Sequence, residues 1–272
     1  MSSPTILDQI GDATRVRVEK RRLLPLPERP VDLPPASVGR FREAICRPSP
    51  AVPLRFLCEM KRSSPSKGIL RADFEPAELA HEYALHGADA LSILTEPEFF
   101  GGSHADLTAA RLASGRPCLL KDFVLDPFQI EEAAHYGADA ILLIVALLSD
   151  GDLTDLLDCA EKYHLDALIE VHSEEELGRA LSVDADLIGI NNRNLETFEV
   201  DPEVTARLRP LVSHGVSVVS ESGISTAEDV RRFSEMGVDA LLIGEHFMKS
   251  ESPGKALLKL KEAAKAAVQA AP

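Results

Sequence analysis

The chain has 272 residues, 45% of them hydrophobic and 27% charged, a balance that excludes a wholly disordered polymer and suits one barrel-sized domain with an extension. A formal net charge of −15 argues against nucleic acid or an anionic membrane as partner, so an anionic substrate must be held by a local cluster of cations. The four cysteines, Cys46, Cys58, Cys118 and Cys159, make no Cys-x-x-Cys pair; they read as reduced thiols of a reducing compartment, and no metal site is expected.

In chain order, Met1 to Ile10 lacks the basic start and apolar stretch of a secretory signal. Residues 5–24 predict an amphipathic helix, with Ile6, Ile10, Val16 and Leu23 at roughly helical spacing. Its basic cluster, Arg15, Arg17, Lys20, Arg21 and Arg22, reads as a solvated face that would also serve to cover an anionic ligand. Prolines from Pro25 to Pro35 end that helix, and residues 36–50 predict a second short helix and a Pro-Ser-Pro turn. Residues 1–50 are therefore expected to be a helical extension packed on a barrel formed by 51–272.

From residue 54 onward, short apolar runs alternate with polar helical stretches. The runs are Phe56–Met60, Ala90–Leu94, Pro117–Leu120, Ala140–Val145, Ala167–Val171, Leu187–Ile190, Val216–Ser220 and Ala240–Ile243. Near-continuous apolar strands separated by helices signal a parallel sheet covered on both faces. The longest apolar run, Ile141 to Leu148, is too short to span a bilayer, so a cytoplasmic location is expected. An internal repeat, His86-Gly-Ala-Asp-Ala-Leu, Tyr136-Gly-Ala-Asp-Ala-Ile and Met236-Gly-Val-Asp-Ala-Leu, marks one helix-to-strand step. An open doubly wound sheet would also give such a repeat. No Gly-x-Gly-x-x-Gly follows the first strand, however, and eight units fit a closed (β/α)₈ TIM barrel better.

Catalytic groups of a barrel stand at the C-terminal ends of its strands. The first strand ends in Glu59 and Lys61, which share one side while Met60 takes the other. The third ends in Lys121-Asp122, the fifth carries Glu170, the sixth runs into Asn191-Asn192-Arg193, the seventh ends in Glu221-Ser222-Gly223 and the eighth in Gly244-Glu245. Any one of these charges would suit a strand meeting solvent. Together they put carboxylates and ammonium groups in one apolar cup, where proton transfer would fall to Lys and Glu. His172, one position past the fifth strand, reads as a loop residue. Ser222-Gly223-Ile224-Ser225 before a helix starting at Thr226, and Gly244-Glu245 before another helical turn, suit phosphate binding; Thr226 would also cap its own helix, with Glu228 in the first turn. Ser64 to Gly68 reads as a mobile lid.

These segments resemble one family. Glu59-Met-Lys-Arg-Ser-Ser-Pro-Ser-Lys-Gly68, Leu94-Thr-Glu-Pro-Glu-Phe-Phe-Gly-Gly102, Leu120-Lys-Asp-Phe123, Leu168-Ile-Glu-Val171, Gly189-Ile-Asn-Asn-Arg-Asn-Leu195, Ser220-Glu-Ser-Gly-Ile224 and Gly244-Glu245 run in order along the chain as in the indole-3-glycerol phosphate synthases of tryptophan biosynthesis. The resemblance implies a (β/α)₈ carboxy-lyase without a cofactor. Its substrate would be a phosphosugar, 1-(2-carboxyphenylamino)-1-deoxyribulose 5-phosphate, converted to indole-3-glycerol phosphate, carbon dioxide and water.

It also implies roles. Lys121 matches the general acid at the ketone oxygen, and Glu170 the acid/base of dehydration. Glu59 and Lys61 match a pair that positions substrate, and Ser64, Phe123, Asn191, Arg193, Glu221 and Ser222 match groups around it. Gly223, Gly244 and Glu245 match the phosphate loops. Met60, Arg62 and Ser63 stand where the family more often has Ile, Lys and Ala, and leave the role of Arg62 open.

Two alternatives are another phosphosugar barrel, such as phosphoribosylanthranilate isomerase with its strand-1 cysteine base, and a non-catalytic barrel subunit. Parity turns Cys58 away from Glu59 and Lys61, against the first; Lys121 and Glu170 are both present, against the second. A monomer or weak homodimer is the expected assembly.

Overall fold

The computed structural model describes residues 5–195 and 197–269. The reading of Met1 to Ile10 and the outer limits of the extension and barrel fall partly on residues outside these.

Eight parallel strands close into a barrel: β1 (Arg55–Met60), β2 (Ala90–Leu94), β3 (Cys118–Lys121), β4 (Ala140–Ile144), β5 (Asp166–Val171), β6 (Leu187–Asn191), β7 (Ser217–Glu221) and β8 (Ala240–Ile243), with β8 hydrogen-bonded back to β1. Side chains alternate between two cores. Leu57, Ala90, Leu119, Leu142, Leu168, Val219 and Leu242 fill the inside, while Phe56, Cys58, Met60, Leu91, Ile141 and Ile169 face the helices. Met60 and Cys58 thus point outward, as parity requires. The strand bounds shift by a residue or two from those expected. Val145, read as strand, turns instead into a 3₁₀ turn, Val145–Leu147.

The repeat has a physical cause. Gly87, Gly137 and Gly237 all adopt left-handed φ (86°, 91° and 76°), which lets each helix stop and its chain turn back toward the sheet. The aspartate two residues later then accepts a backbone N–H of the neighbouring strand. Asp89 takes Phe56 N (2.9 Å), Asp139 takes Cys118 N (2.9 Å) and Asp239 takes Val218 N (2.8 Å). These carboxylates stitch the N-terminal rim, the face opposite the strand ends that carry the chemistry.

The extension grips the barrel at both rims. Helix α1 (Ile6–Arg21) begins with a reciprocal cap between Thr5 and Asp8. Helix α2 (Arg40–Ile45) lays its N-terminal amides on Asp166, which accepts from Gly39, Phe41 and Arg42 N at 3.1, 2.9 and 3.0 Å. Its Phe41 and Ile45 are fully buried and plug the barrel interior from below.

Of the basic cluster of α1, Arg15, Lys20 and Arg22 are exposed, as the solvated reading expects, whereas Arg17 and Arg21 are drawn in. Arg17 forks between Glu96 (2.8 Å) and Asp122 (2.9 Å), both buried. Arg21 pairs with buried Glu132 (2.5 Å) and meets His104 Nδ1 at 3.2 Å. Burial, then Arg21 and Arg17, push His104 down to about 3, so it is neutral and accepts. A sequence shows which residues are basic; it cannot show that the loops after β2 and β3 bring carboxylates to them.

Among the described residues no helix is long and apolar enough to cross a membrane.

Candidate active site

The C-terminal ends of the strands open into a cavity of about 790 Å³, a size that suits a small-molecule ligand. All the residues singled out line it: Glu59, Lys61 and Ser64; Lys121 and Phe123; Glu170; Asn191 and Arg193; Glu221, Ser222 and Gly223; Gly244 and Glu245.

At its floor Lys121 Nζ lies 2.7 Å from Glu170 Oε2 and 2.8 Å from Glu221 Oε2. The barrel makes this meeting, since Lys121, Glu170 and Glu221 each stand two residues past an inward-facing core residue, Leu119, Leu168 and Val219. Burial pulls the Lys121 ammonium down, but Glu170, Glu221 and Glu59 outweigh it and hold it above its ordinary value. The two glutamates diverge. Burial pushes Glu170 up, yet Lys121 and His172 win and keep it well below the usual carboxylate range. Glu221 is pushed up to about 7 by burial, with Glu170 and Glu59 adding to the rise and Lys121 opposing it. Of the two carboxyls on one lysine, Glu221 is therefore the one that takes up a proton more readily.

Glycines make room for this cluster. A Cβ on Gly244 would fall 2.2 Å from Glu59 Oε1 and 2.9 Å from Glu59 Cβ, and one on Gly189 would fall 2.4 Å from Glu221 Oε1. Glu59 in turn pairs with Lys61 at 2.5 Å.

One wall is apolar. Phe100 and Phe123 stand 6.2 Å apart, with Leu195 and Phe198 nearby on the lining. The other end is cationic, organised by Glu245, which pairs with Lys67 (2.6 Å), Lys249 (2.7 Å) and Arg193 (3.5 Å). Burial raises Glu245, but Lys249 and Lys67 lower it to about 2. The lid segment is a short hairpin, Ser63–Ser64 against Gly68–Ile69, and the Lys67–Glu245 pair ties it to the opposite rim.

Behind the site, Asn192 Nδ2 donates to Ser220 Oγ and to the Glu221 and Ser222 carbonyls, while its Oδ1 accepts from Thr205 N and Oγ1. It faces away from the cavity and braces β6 against β7. Thr226 caps the helix Ala227–Glu235, and the partner in that capping box is Asp229.

Of the wall, the sequence points to Phe123 but not to Phe100, which lies within the Leu94–Gly102 match without a role of its own; of the cations around Glu245, it points to Arg193 but not to Lys249, which follows no motif. His172 is a loop residue, as read, between β5 and the helix Glu174–Ser182, but its contacts were not foreseen: it lies between Glu170 and Glu176, with the spacing Glu170-x-His172 as the one signal.

A model of indole-3-glycerol phosphate synthase matches residues 7–260. The chain belongs to the indole-3-glycerol phosphate synthase family. The family's enzyme from Bordetella pertussis is 50% identical over 204 residues, 75% of this chain and 78% of its own. That from Nautilia profundicola is 49% identical over 213 residues, 78% of this chain and 82% of its own. Solved structures show the barrel at much lower identity. KGPDC from Streptococcus mutans gives a TM-score of 0.60 at 12% identity, over 79% of this chain and 99% of that one. Thiamine phosphate pyrophosphorylase from Pyrococcus furiosus gives 0.59 at 18%, over 78% and 96%.

Proposed function

We propose that this chain carries out its family's reaction with Lys121 as general acid. The reaction closes, decarboxylates and dehydrates 1-(2-carboxyphenylamino)-1-deoxyribulose 5-phosphate to indole-3-glycerol phosphate. The observation that carries the assignment is the Lys121 ammonium, suspended between Glu170 and Glu221 at the cavity floor. A charged, buried amine facing apolar walls is a proton donor in search of a developing oxyanion.

In this reading the aryl ring lies against Phe100 and Phe123, and its carboxylate is met by Arg193 and Asn191. The phosphate goes to the end lined by Gly223 and Gly244, near Lys67 and Lys249. Glu245 offers an anion only its backbone N–H. Its carboxylate instead holds the surrounding cations in place until the substrate's charge arrives. Just before the helix Ala227–Glu235, Ser225 N and Thr226 N donate to Asp229 at 2.9 and 2.8 Å, so these two amides are taken and the cations and loop glycines carry that end.

Ring closure places the Lys121 proton on the ketone oxygen as the ring carbon attacks. Loss of carbon dioxide restores the aromatic ring. Glu170 then serves the departure of the hydroxyl as water, and one proton leaves as the indole forms. Two protons enter and one departs, so each turnover of the carboxylate substrate consumes one. Glu59 and Lys61 fix the strand-1 side of the substrate, with Ser64 at the lid and Glu221 and Ser222 opposite.

The isomerase alternative needs an accessible cysteine base. Cys58 is fully buried in the outer core, and burial pushes its thiol well up. Lys121→Ala tests the proposal: turnover should fall on the order of 10²–10⁴-fold while substrate still binds. A variant that keeps most of its rate would remove Lys121 as the acid.

A further inference from the structure

Glu170 has two sides. Its Oε2 takes Lys121, and its Oε1 lies 3.4 Å from His172 Nε2. His172 is itself clamped from behind by Glu176, in the first turn of the helix Glu174–Ser182. One oxygen, Glu176 Oε2, accepts the His172 backbone N–H at 2.8 Å and lies 3.1 Å from ring Nδ1. That fixes the imidazole plane and leaves Nε2 3.4 Å from Glu170 Oε1. Nε2 is buried and makes no hydrogen bond among the described residues, and the group it faces is that carboxylate. His172 is not among the residues lining the cavity.

We propose that His172, locked by Glu176, is a positioning residue that keeps Glu170 an oriented carboxylate until its own proton transfer in the dehydration, including the interval after Lys121 has given up its proton. The inference rests on the role assigned above to Glu170. The physical need is plain. While Lys121 is an ammonium, Glu170 has a counter-ion. Once that proton sits on the substrate, the amine is neutral and Glu170 is left beside Glu221 in a dry pocket, where an unpaired carboxylate would draw a proton to itself. A fixed imidazolium on the opposite oxygen removes that need.

The charged groups facing His172 are Glu170 from β5 and Glu176 from the helix that follows it; Lys121 of β3 and Glu221 of β7 stand beyond Glu170. Arg179 on the same helix is turned to the carbonyls of Val145 and Leu148 and to Asp150. Burial lowers His172, but the carboxylates of Glu170 and Glu176, one beside each ring nitrogen, lift it to about 10. While Lys121 is an ammonium, it and His172 together hold Glu170 low, and proton transfer from His172 to Glu170 is uphill. The histidine is therefore a standing cation and not a relay.

The experiment is the pH dependence of kcat at saturating substrate, on the full chain. In His172→Gln the amide can still reach Glu170 but carries no charge. Its acid limb should move up by about 1–3 pH units, with kcat reduced and KM little changed. In Glu176→Gln the amide oxygen still accepts the His172 backbone N–H, but the counter-charge is gone. His172 should then deprotonate closer to its ordinary value, and an alkaline limb should appear toward neutrality. A merely structural role would slow both variants without moving either limb, and that result overturns the proposal. If His172→Gln fails to fold, the limb of Glu176→Gln decides alone. Glu170→Gln separates the two readings: near-normal turnover there removes the role of Glu170 itself, whereas slow turnover with unmoved limbs in the other variants removes only that of His172.

Discussion

Gly244→Ala distinguishes two reasons for a glycine at the end of β8. One is close approach of an anion to the backbone; the other is room for Glu59. The added Cβ would lie 2.2 Å from Glu59 Oε1 and 2.9 Å from both its Cβ and its Cδ. Carbon atoms rest about 3.5–4.0 Å apart, so Glu59 must retreat by most of an ångström. Rotating the carboxyl does not suffice, because Glu59 Cβ is itself too close. That atom is fixed to β1, which is laddered to β8 one residue earlier, at Cys58 and Ile243. The strands must part or the side chain must strain. Overpacking of this kind costs about 1–3 kcal/mol, a fall in Tm of about 2–10 °C for a domain of this size. The same shift pulls Glu59 off Lys61, and a misplacement of about 1 Å at a reacting site can cost ~10²-fold in rate. Thermal unfolding and steady-state kinetics read both effects. Gly178→Ala in the helix Glu174–Ser182, where nothing lies within 4 Å of the new Cβ, is the control and should gain about 0.5–1 kcal/mol. A Gly244→Ala protein with wild-type Tm and kcat, altered only in KM, would refute the reasoning and return the glycine to the anion.

Arg17→Met should destabilise the fold by about 3–5 kcal/mol in urea unfolding, because it strands buried Glu96 and Asp122; a loss below about 1 kcal/mol would show that their amide and hydroxyl partners suffice. Asn192→Ala removes the brace between β6 and β7 and should cost about 1–3 kcal/mol with a lowered kcat, checked by the same unfolding series. Glu245, lowered to about 2, contributes stability that is present above its ordinary value near 4.5 and is lost as pH falls toward 2. The stability difference between wild type and Glu245→Gln should therefore be flat above about pH 4.5 and shrink on acidification; a difference independent of pH would mean that the Lys67 and Lys249 pairs contribute nothing.

The sequence by itself determined what is local. Apolar runs of strand length and the Gly-x-Asp repeat marked the strands and their spacing. Parity put Glu59 and Lys61 on one side and Met60 and Cys58 on the other, because successive strand residues must point to opposite faces. The site residues on the strands, Glu59, Lys121, Glu170, Asn191 and Glu221, line the cavity for the same reason, and those just past the strands line it because the loops crown the same end of the barrel. Only the tertiary structure decided which charges meet. Lys121 finds Glu170 and Glu221 across 49 and 100 residues of chain. Arg17 finds Glu96 and Asp122 across 79 and 105, which turned part of a basic face that looked solvated into a buried clamp. Pairing depends on three-dimensional distance, and so does the proton state of each group, since desolvation and neighbouring charge set it. A string of residues shows that a glutamate ends β5 and another ends β7. It takes the closed barrel to hold one as a carboxylate and lift the other to about 7.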